Sequence, residues 1–294
     1  MKRTLLLAVG LVLILAPFTM ADELQDYIQQ GLSIFQDEDV AVTTQEDLQA
    51  GIDAFLAAYN LDPTNKTVLN KLAQCYYTLA DAFLTDKDAQ LAAYKEGQRY
   101  GEESLRADPN FVAVEDKDGF IAAVKQETDI RALYWTYANW ARKDEFNVLF
   151  AVSRGDPPKL VALIERALEV DPSYLVYGAY RSLGAFWGGL PRMPAGTYRK
   201  NLKKAKSYLC KVVDDPENCS DCADCPIDPS VNDYFENRLF YAQYYLMEAG
   251  KWDAAKAMLE EIIAADPGDV YVLYNPLCQT RAKTLLEEVN KHVK

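Results

Sequence analysis

The sequence predicts an all-α protein of antiparallel helix pairs stacked into a degenerate solenoid or bundle, and two observations carry that prediction. First, a helical pattern closing on Asp-Pro recurs at Asp62-Pro63, Asp108-Pro109, Asp171-Pro172, Asp215-Pro216 and Asp266-Pro267, at spacings of 46, 63, 44 and 51 residues. The residue before a proline is driven out of the right-handed helical region, so each Asp-Pro reads as a helix stop. Second, Asp156 to Pro191 can be traced as one complete helix-turn-helix unit. Asp156 is suited to cap a helix with Pro157 at its first position, Leu160, Val161, Ile164, Ala167 and Leu168 share one face, and Asp171-Pro172 ends it. A second helix then carries Tyr177, Tyr180, Leu183, Gly184 and Trp187 and ends at Gly188-Gly189, with the small Ala167 and Gly184 expected where the two axes cross.

Taken in order, residues 1–21 read as a secretory signal peptide: Lys2 and Arg3, an apolar run from Leu5 to Leu15, then Thr19-Met20-Ala21 as a small-residue cleavage site. The run is shorter than the ~20 residues that span a bilayer. Residues 22–294 then form a single helical domain, exported and periplasmic, and lipid anchoring is not expected because positions 16 to 24 hold no cysteine. With the prolines of the Asp-Pro pairs aligned, small or apolar residues fall five positions upstream (Ala58, Ser104, Ala167, Ile262, with Lys211 the exception) and larger ones eight upstream (Phe55, Ile164, Tyr208, Leu259). That is the second-helix signature of a tetratricopeptide repeat, and Leu69, Leu72, Ala73 and Tyr76 supply a first-helix signature. Such repeats are typically ~34 residues, so the array carries insertions. Asn275-Pro276 opens a last helix with Cys278, Ala282, Leu285, Leu286 and Val289 inward, expected to cap the apolar end of the stack.

Composition excludes several functions. The net charge of −13, or −15 once Lys2 and Arg3 are removed, repels a phosphate backbone, so nucleic acid is not a partner. The single histidine, His292, is close to the end of a charged tail, which leaves no Ser-His-Asp or Cys-His arrangement. Carboxylates such as Glu102, Glu103, Glu165, Glu260 and Glu261 fall on solvated helix faces, and no glycine-rich phosphate loop occurs. The sequence therefore predicts no enzyme and no cofactor.

Two groups of residues stand out. An inserted loop at about 216–230 carries Cys219, Cys222 and Cys225 in a C-x₂-C-x₂-C-P order, with Cys210 nine residues upstream. The order matches part of an iron–sulfur run whose fourth cysteine is missing locally, and Cys210 could complete a metal site or a disulfide; an exported chain favours disulfides over metal, and the sequence leaves their pairing open. Cys75 and Cys278 lie on apolar faces and read as small buried hydrophobes. The second group is aromatic: Arg131, Tyr134, Trp135, Tyr137 and Trp140 on one helix, and Tyr177, Tyr180, Arg181 and Trp187 on another, suited to border a groove or to fill a core.

The segments LYWTYANWA (Leu133 to Ala141), LVALIERALEVDPSYLVYGAYRSLGAFWGGLP (Leu160 to Pro191), AKSYL (Ala205 to Leu209) and LYNPLCQTRAKTLLEEV (Leu273 to Val289) resemble the T component of tripartite ATP-independent periplasmic (TRAP) transporters, the TatT family. The resemblance covers nearly the whole chain after the leader. It implies a non-catalytic accessory protein of solute uptake that forms a homotrimer, binds the transporter's substrate-binding subunit, and admits a small hydrophobic or organic-acid ligand to an aromatic-lined pore. The alternative is a general periplasmic repeat scaffold that holds protein complexes together. Three features depart from the family pattern: the absent lipidation cysteine, the cysteine cluster at 219–225, and Met193-Pro194-Ala195-Gly196 in place of a glycine pair.

Overall fold

Helix caps set the beginning of the chain. A computed structural model describes residues 21–192 and 198–293, so the expected leader apart from Ala21, and Met193 to Gly196, lie outside the described residues. Helix α1 (residues 21–32) leads into a hairpin in which β1 (Phe35–Gln36) pairs antiparallel with β2 (Asp39–Val40), Phe35 facing Val40. Helix α2 (Gln45–Leu61) starts at Thr44, whose side chain accepts the Asp47 N–H, and stops at Asp62, whose N–H returns to the Ala58 carbonyl. Helix α3 (Lys66–Thr78) is capped by Asn65 and widens into a π turn at Leu79–Phe83, and α4 (Lys87–Arg106) is capped by Asp86. Helix α3 packs against both α2 and α4.

Helices α5 (Pro109–Asp118), α6 (Phe120–Val124), α7 (Ile130–Glu145) and α8 (Val148–Ser153) occupy the largest insertion. They are followed by α9 (Asp156–Val170), α10 (Tyr174–Gly189) and α11 (Leu202–Leu209). Then come α12 (Phe235–Tyr241), which runs into a second π turn at Ala242–Met247, α13 (Trp252–Ala264) and α14 (Tyr274–Val289). The described residues are thus all-α apart from the hairpin, with helices packed on their sequence neighbours.

Three local readings change. Asp108 follows the end of α4 and also begins the next helix: its carboxylate accepts the Asn110 N–H with Pro109 in the first turn. Asp156 lies within the first turn of α9 rather than capping it. The cap is Gly155, whose φ of 74° is one glycine adopts freely, and this frees the Asp156 carboxylate to take Arg154. Gly184 faces α11 rather than α9, since a Cβ there would sit 2.3 Å from the Leu209 side chain.

Helix α7 is the hub. Its residues Ala132 to Trp140 are buried without interruption, which requires neighbours on every side. It reaches α4 closely because Gly97 and Gly101 leave room for Asn139 and Thr136, whose side-chain atoms would lie 2.1 and 2.5 Å from any added Cβ. The last helix does more than cap an end. It packs on α12 and α13 and returns to the start of the bundle, where Arg281 donates to the Asp81 carboxylate at 2.9 Å and the Tyr274 and Thr78 hydroxyls lie 3.4 Å apart. Arg142 of α7 holds the other Asp81 oxygen at 2.6 Å, and the Asp81 side chain is only 1% exposed.

Burial alone would raise the Asp81 carboxyl, but Arg281 and Arg142 overturn that and hold it below its ordinary range. Removing its charge leaves Arg281 without its carboxylate partner and Arg142 with Glu145 alone. Asp81→Asn is expected to lower stability by ~3–5 kcal/mol in chemical denaturation, whereas Arg99→Ala, which breaks only half-exposed pairs with Glu96 and Glu103, should cost less than ~1 kcal/mol. Equal losses in the two variants would refute the closing role of Asp81.

Candidate functional site

A cavity of about 350 Å³ lies beside α7. Tyr134, Tyr137, Ala138, Ala141 and Glu145 project into it from one face of α7, at the three- and four-residue spacing of a helical stripe. Val148, Ala151 and Val152 of α8 form a second wall, Pro157 and Leu160 of α9 a third, and Ser182, Ala185 and Gly189 of α10 a fourth. Glu236, Phe240 and Tyr244 close it from α12 and its π turn, and Tyr77 from α3. The void exists because small residues, Ala138, Ala141, Ala151, Ala185 and Gly189, occupy the positions where helices would otherwise interdigitate. Lining residues Glu145 and Gly189 are exposed, so the cavity opens there, while Tyr134, Tyr137, Arg181 and Glu236 are buried and form its floor.

The floor rests on an unusual backbone. Leu175, Val176 and Tyr177 have φ of 49°, 52° and 62°, a left-handed turn that costs roughly 1–2 kcal/mol per non-glycine residue. Tyr177 therefore lies in that turn rather than in the regular helix expected for it. Arg181 holds the turn: its Nη1 donates to Asn237 at 2.7 Å and reaches the Leu175 and Val176 carbonyls at 3.5 and 3.4 Å. Its Nε pairs with Glu236 at 2.9 Å, and the two side chains are 3% and 7% exposed.

The nine aromatic and arginine candidates separate. Tyr134, Tyr137 and Arg181 line the cavity, and the Tyr137 hydroxyl donates to the Ser182 carbonyl at 3.1 Å. Trp135 points to the other side of α7, where its indole N–H donates to the Tyr174 hydroxyl at 3.0 Å. Trp140 packs against Phe120, Trp187 stacks on Tyr198 under the Lys204 ammonium, and Tyr180 meets Tyr208. Arg131 lies at a separate polar cleft, paired with Glu38 beside Lys66, Lys71 and Asp129. The four loop cysteines are joined as Cys210–Cys219 and Cys222–Cys225, while Cys75 and Cys278 are free and buried.

Sequence reasoning missed Tyr77, Arg142, Asp144, Phe240 and Tyr244, and the whole of α8. The signal for Phe240 and Tyr244 was their four-residue spacing after Glu236; nothing in the sequence aims α8 at α7.

Electrostatically the cavity is close to neutral. Arg142 is taken by Asp81 and Glu145, and Arg181 by Glu236. Burial pushes the phenols of Tyr77, Tyr134, Tyr137 and Tyr244 up, so all stay protonated. Two polar atoms at the α8 end, Arg142 Nε and Asp144 Oδ2, are buried with no hydrogen-bond partner among the described residues. Burial also pushes the Asp144 carboxyl up to about 6, with Asp156 adding to the rise and Lys143 and Arg154 opposing it.

The sequence model of one protein family, described as the TRAP transporter T-component (TAtT), matches residues 36–210, more than half of the chain. No curated protein matches the chain. The matched span supplies every wall of the cavity except the one formed by α12 and its π turn.

The hairpin carboxylate Asp39, which faces the same interior charges, gives a pH test. Burial pushes it up to about 6; the Val40 N–H and the Arg181 and Lys71 charges oppose that, and Glu236 adds to it. A carboxyl raised in the folded state makes its ionisation unfavourable to folding. Its contribution to stability therefore falls as pH rises from the unfolded value of ~4 to about 6. Asp39→Asn, which keeps the oxygen that accepts the Val40 N–H, should melt above the parent protein at pH 7.5, with the difference shrinking towards zero at pH 4. A difference independent of pH would refute this assignment.

Proposed function

The chain belongs to the TRAP transporter T-component family, and from that premise we propose that it is a non-catalytic, periplasmic accessory protein that binds the transporter's substrate-binding subunit and takes a small apolar ligand into the α7 cavity. Membership gives the coarse role, a transport accessory component. No described helix is long and apolar enough to cross a membrane.

The observation that carries the ligand reading is the chemistry of the cavity wall. Alanine, valine and aromatic side chains dominate it, and both arginines that reach it are already neutralised by carboxylates. An anionic ligand would have to compete with Glu236 or Asp81 for a guanidinium, at the cost of leaving a buried carboxylate without its partner. A neutral, largely apolar molecule needs no such exchange. Of the two ligand classes that the resemblance implies, the hydrophobic one fits this wall and the organic acid does not.

The mouth supports the partner reading. Helix α8 turns Val148, Ala151 and Val152 to the cavity and leaves Leu149 and Phe150 on its outer side at 75% and 55% exposure, with Phe146 at 38%. Exposed apolar side chains grouped at the entrance of an apolar cavity suit a protein partner that seals it.

Two measurements separate these parts. Ala185→Phe places a ring in the cavity and should abolish saturable binding of the neutral apolar fluorophore N-phenyl-1-naphthylamine while the melting temperature stays within a few degrees of the parent. Unchanged probe binding would refute the cavity assignment. Leu149→Asp with Phe150→Asp should weaken the complex with the cognate substrate-binding subunit at least tenfold, ~1.4 kcal/mol, without loss of fold. No complex with the unaltered protein at tens of micromolar would end the partner reading.

A further inference from the structure

The loop between α11 and α12 holds two disulfides in opposite surroundings. Cys210 and Cys219 are 0% and 5% exposed, packed in the C-terminal core against Tyr241, whose hydroxyl lies 3.6 Å from the Cys219 sulfur. Cys222 and Cys225 sit further out, half-buried on either side of the exposed Ala223 and Asp224, and their bond spans only three positions of chain. Closing so short a loop restricts the unfolded chain little, so the outer bond adds little to the fold.

The loop keeps its shape by other means. The Asp215 carbonyl accepts the Cys219 N–H at 2.8 Å, and the Asp215 carboxylate takes the Asn218 N–H at 3.0 Å and the Tyr241 hydroxyl at 2.9 Å. Downstream, the Ile227 N–H donates to the Lys211 carbonyl at 2.9 Å. With the inner disulfide, these contacts fix both ends of the C-x-x-C segment whether or not Cys222 and Cys225 are joined. A cation is also in place. The Lys211 ammonium donates to the Ala223 carbonyl at 2.6 Å and lies 3.4 Å from that of Asp224, between the two cysteines, and it has no ion-pair partner among the described residues. An uncompensated positive charge beside a thiol favours its thiolate.

From these three observations, the half-buried short bond near the surface, the independently braced loop and the unpaired ammonium, we infer that Cys222 and Cys225 form a thiol–disulfide exchange site for a protein or small-molecule dithiol. In the exchange, one thiolate of the dithiol attacks a sulfur of the Cys222–Cys225 bond. That bond breaks, and its electron pair leaves on the other cysteine as a thiolate next to Lys211. The second thiol of the reductant then attacks the mixed disulfide and departs as the oxidised, cyclic or intramolecular disulfide. Two electrons and two protons have then passed from the dithiol to the cysteine pair, and the reverse sequence restores it. Cys210–Cys219 takes no part and serves as the brace.

The test uses the folded protein purified without reductant, titrated with dithiothreitol, trapped by alkylation and mapped by mass spectrometry. Cys222 and Cys225 should become labelled at a dithiothreitol concentration at least about tenfold below that which opens Cys210–Cys219, with Cys75 and Cys278 unlabelled throughout. Lys211→Gln should slow opening of the outer bond several-fold with an unchanged melting temperature, and Lys211→Arg should restore the rate. Simultaneous opening of both bonds, opening of the inner bond first, or thiols at 222 and 225 already labelled or metal-protected before any reductant would each overturn the inference. Cys225→Ser exposed to oxidised glutathione adds an independent readout, a glutathione adduct at Cys222. Absence of that adduct on folded variant overturns the inference as well, and if the variant does not fold, the dithiothreitol titration of the unaltered chain decides.

Discussion

A carboxylate with almost no water around it ties together the beginning, the middle and the end of the chain. Asp81 sits in the π turn after α3 and is reached by Arg142 from α7 and by Arg281 from α14, 61 and 200 positions away. Charges taken out of water demand partners, and here each partner comes from an element that local sequence gives no reason to bring near. A stack of helix pairs has nearest-neighbour contacts only and leaves its two ends apart. The Asp81 cluster adds contacts of long range and converts the stack into a closed arrangement, with α7 at its hub and a void along one side.

That void has a cost met by particular residues. Interiors normally pack to the density of organic crystals, and a cavity of about 350 Å³ leaves its lining without dispersion partners on one side. Alanines along α7, α8 and α10 create it, and Arg181 stabilises the left-handed turn at Leu175–Tyr177 that begins α10. Strain and empty volume of this kind mark sites where structure has been set by something other than packing alone. The Arg181–Glu236 pair serves twice, holding the strained turn and keeping the cavity floor electrically neutral.

Much of this was legible in the sequence, in the places where local chemistry decides. Helix α9 and the end of α10 follow from Asp171-Pro172 and Gly188-Gly189, and the continuous burial of α7 from an apolar surface that wraps round the helix. Tyr134, Tyr137 and Arg181 were legible as residues that could line a groove because they lie on the face of a recognisable helix. Trp135, one position from Tyr134, was not separable from it: a bulky aromatic suits a groove and a core equally, and only the placement of Tyr174 decides that its N–H is used inside. Asp108 shows the same limit at a turn, since Asp-Pro stops one helix and starts the next with equal facility, and the choice depends on whether the chain beyond can pack. Tyr77 and Arg142 carry no local mark at all, because what makes them neighbours is the closure around Asp81.

The wall supplied by α12 shows why the C-terminal third cannot be treated as an appendage. Glu236, Phe240 and Tyr244 keep four-residue spacing into the π turn at Ala242–Met247, where the wider backbone changes which carbonyls are used within the helix. The Tyr244 carbonyl points at Gly188 of α10, so closely that a Cβ there would lie 2.1 Å from its oxygen. A widened turn on one helix thus meets a residue without a side chain on the other, and the two helices come together at the cavity wall. Both π turns of the described residues, the one carrying Asp81 and the one carrying Tyr244, face the same interior. The recognisable family span ends at residue 210, yet the floor pair needs Glu236 and the closing cluster needs Arg281. The cavity is therefore a property of the closed chain: the matched portion supplies most of the walls, and the portion beyond supplies Glu236 to Arg181 and the second of the two arginines that hold Asp81.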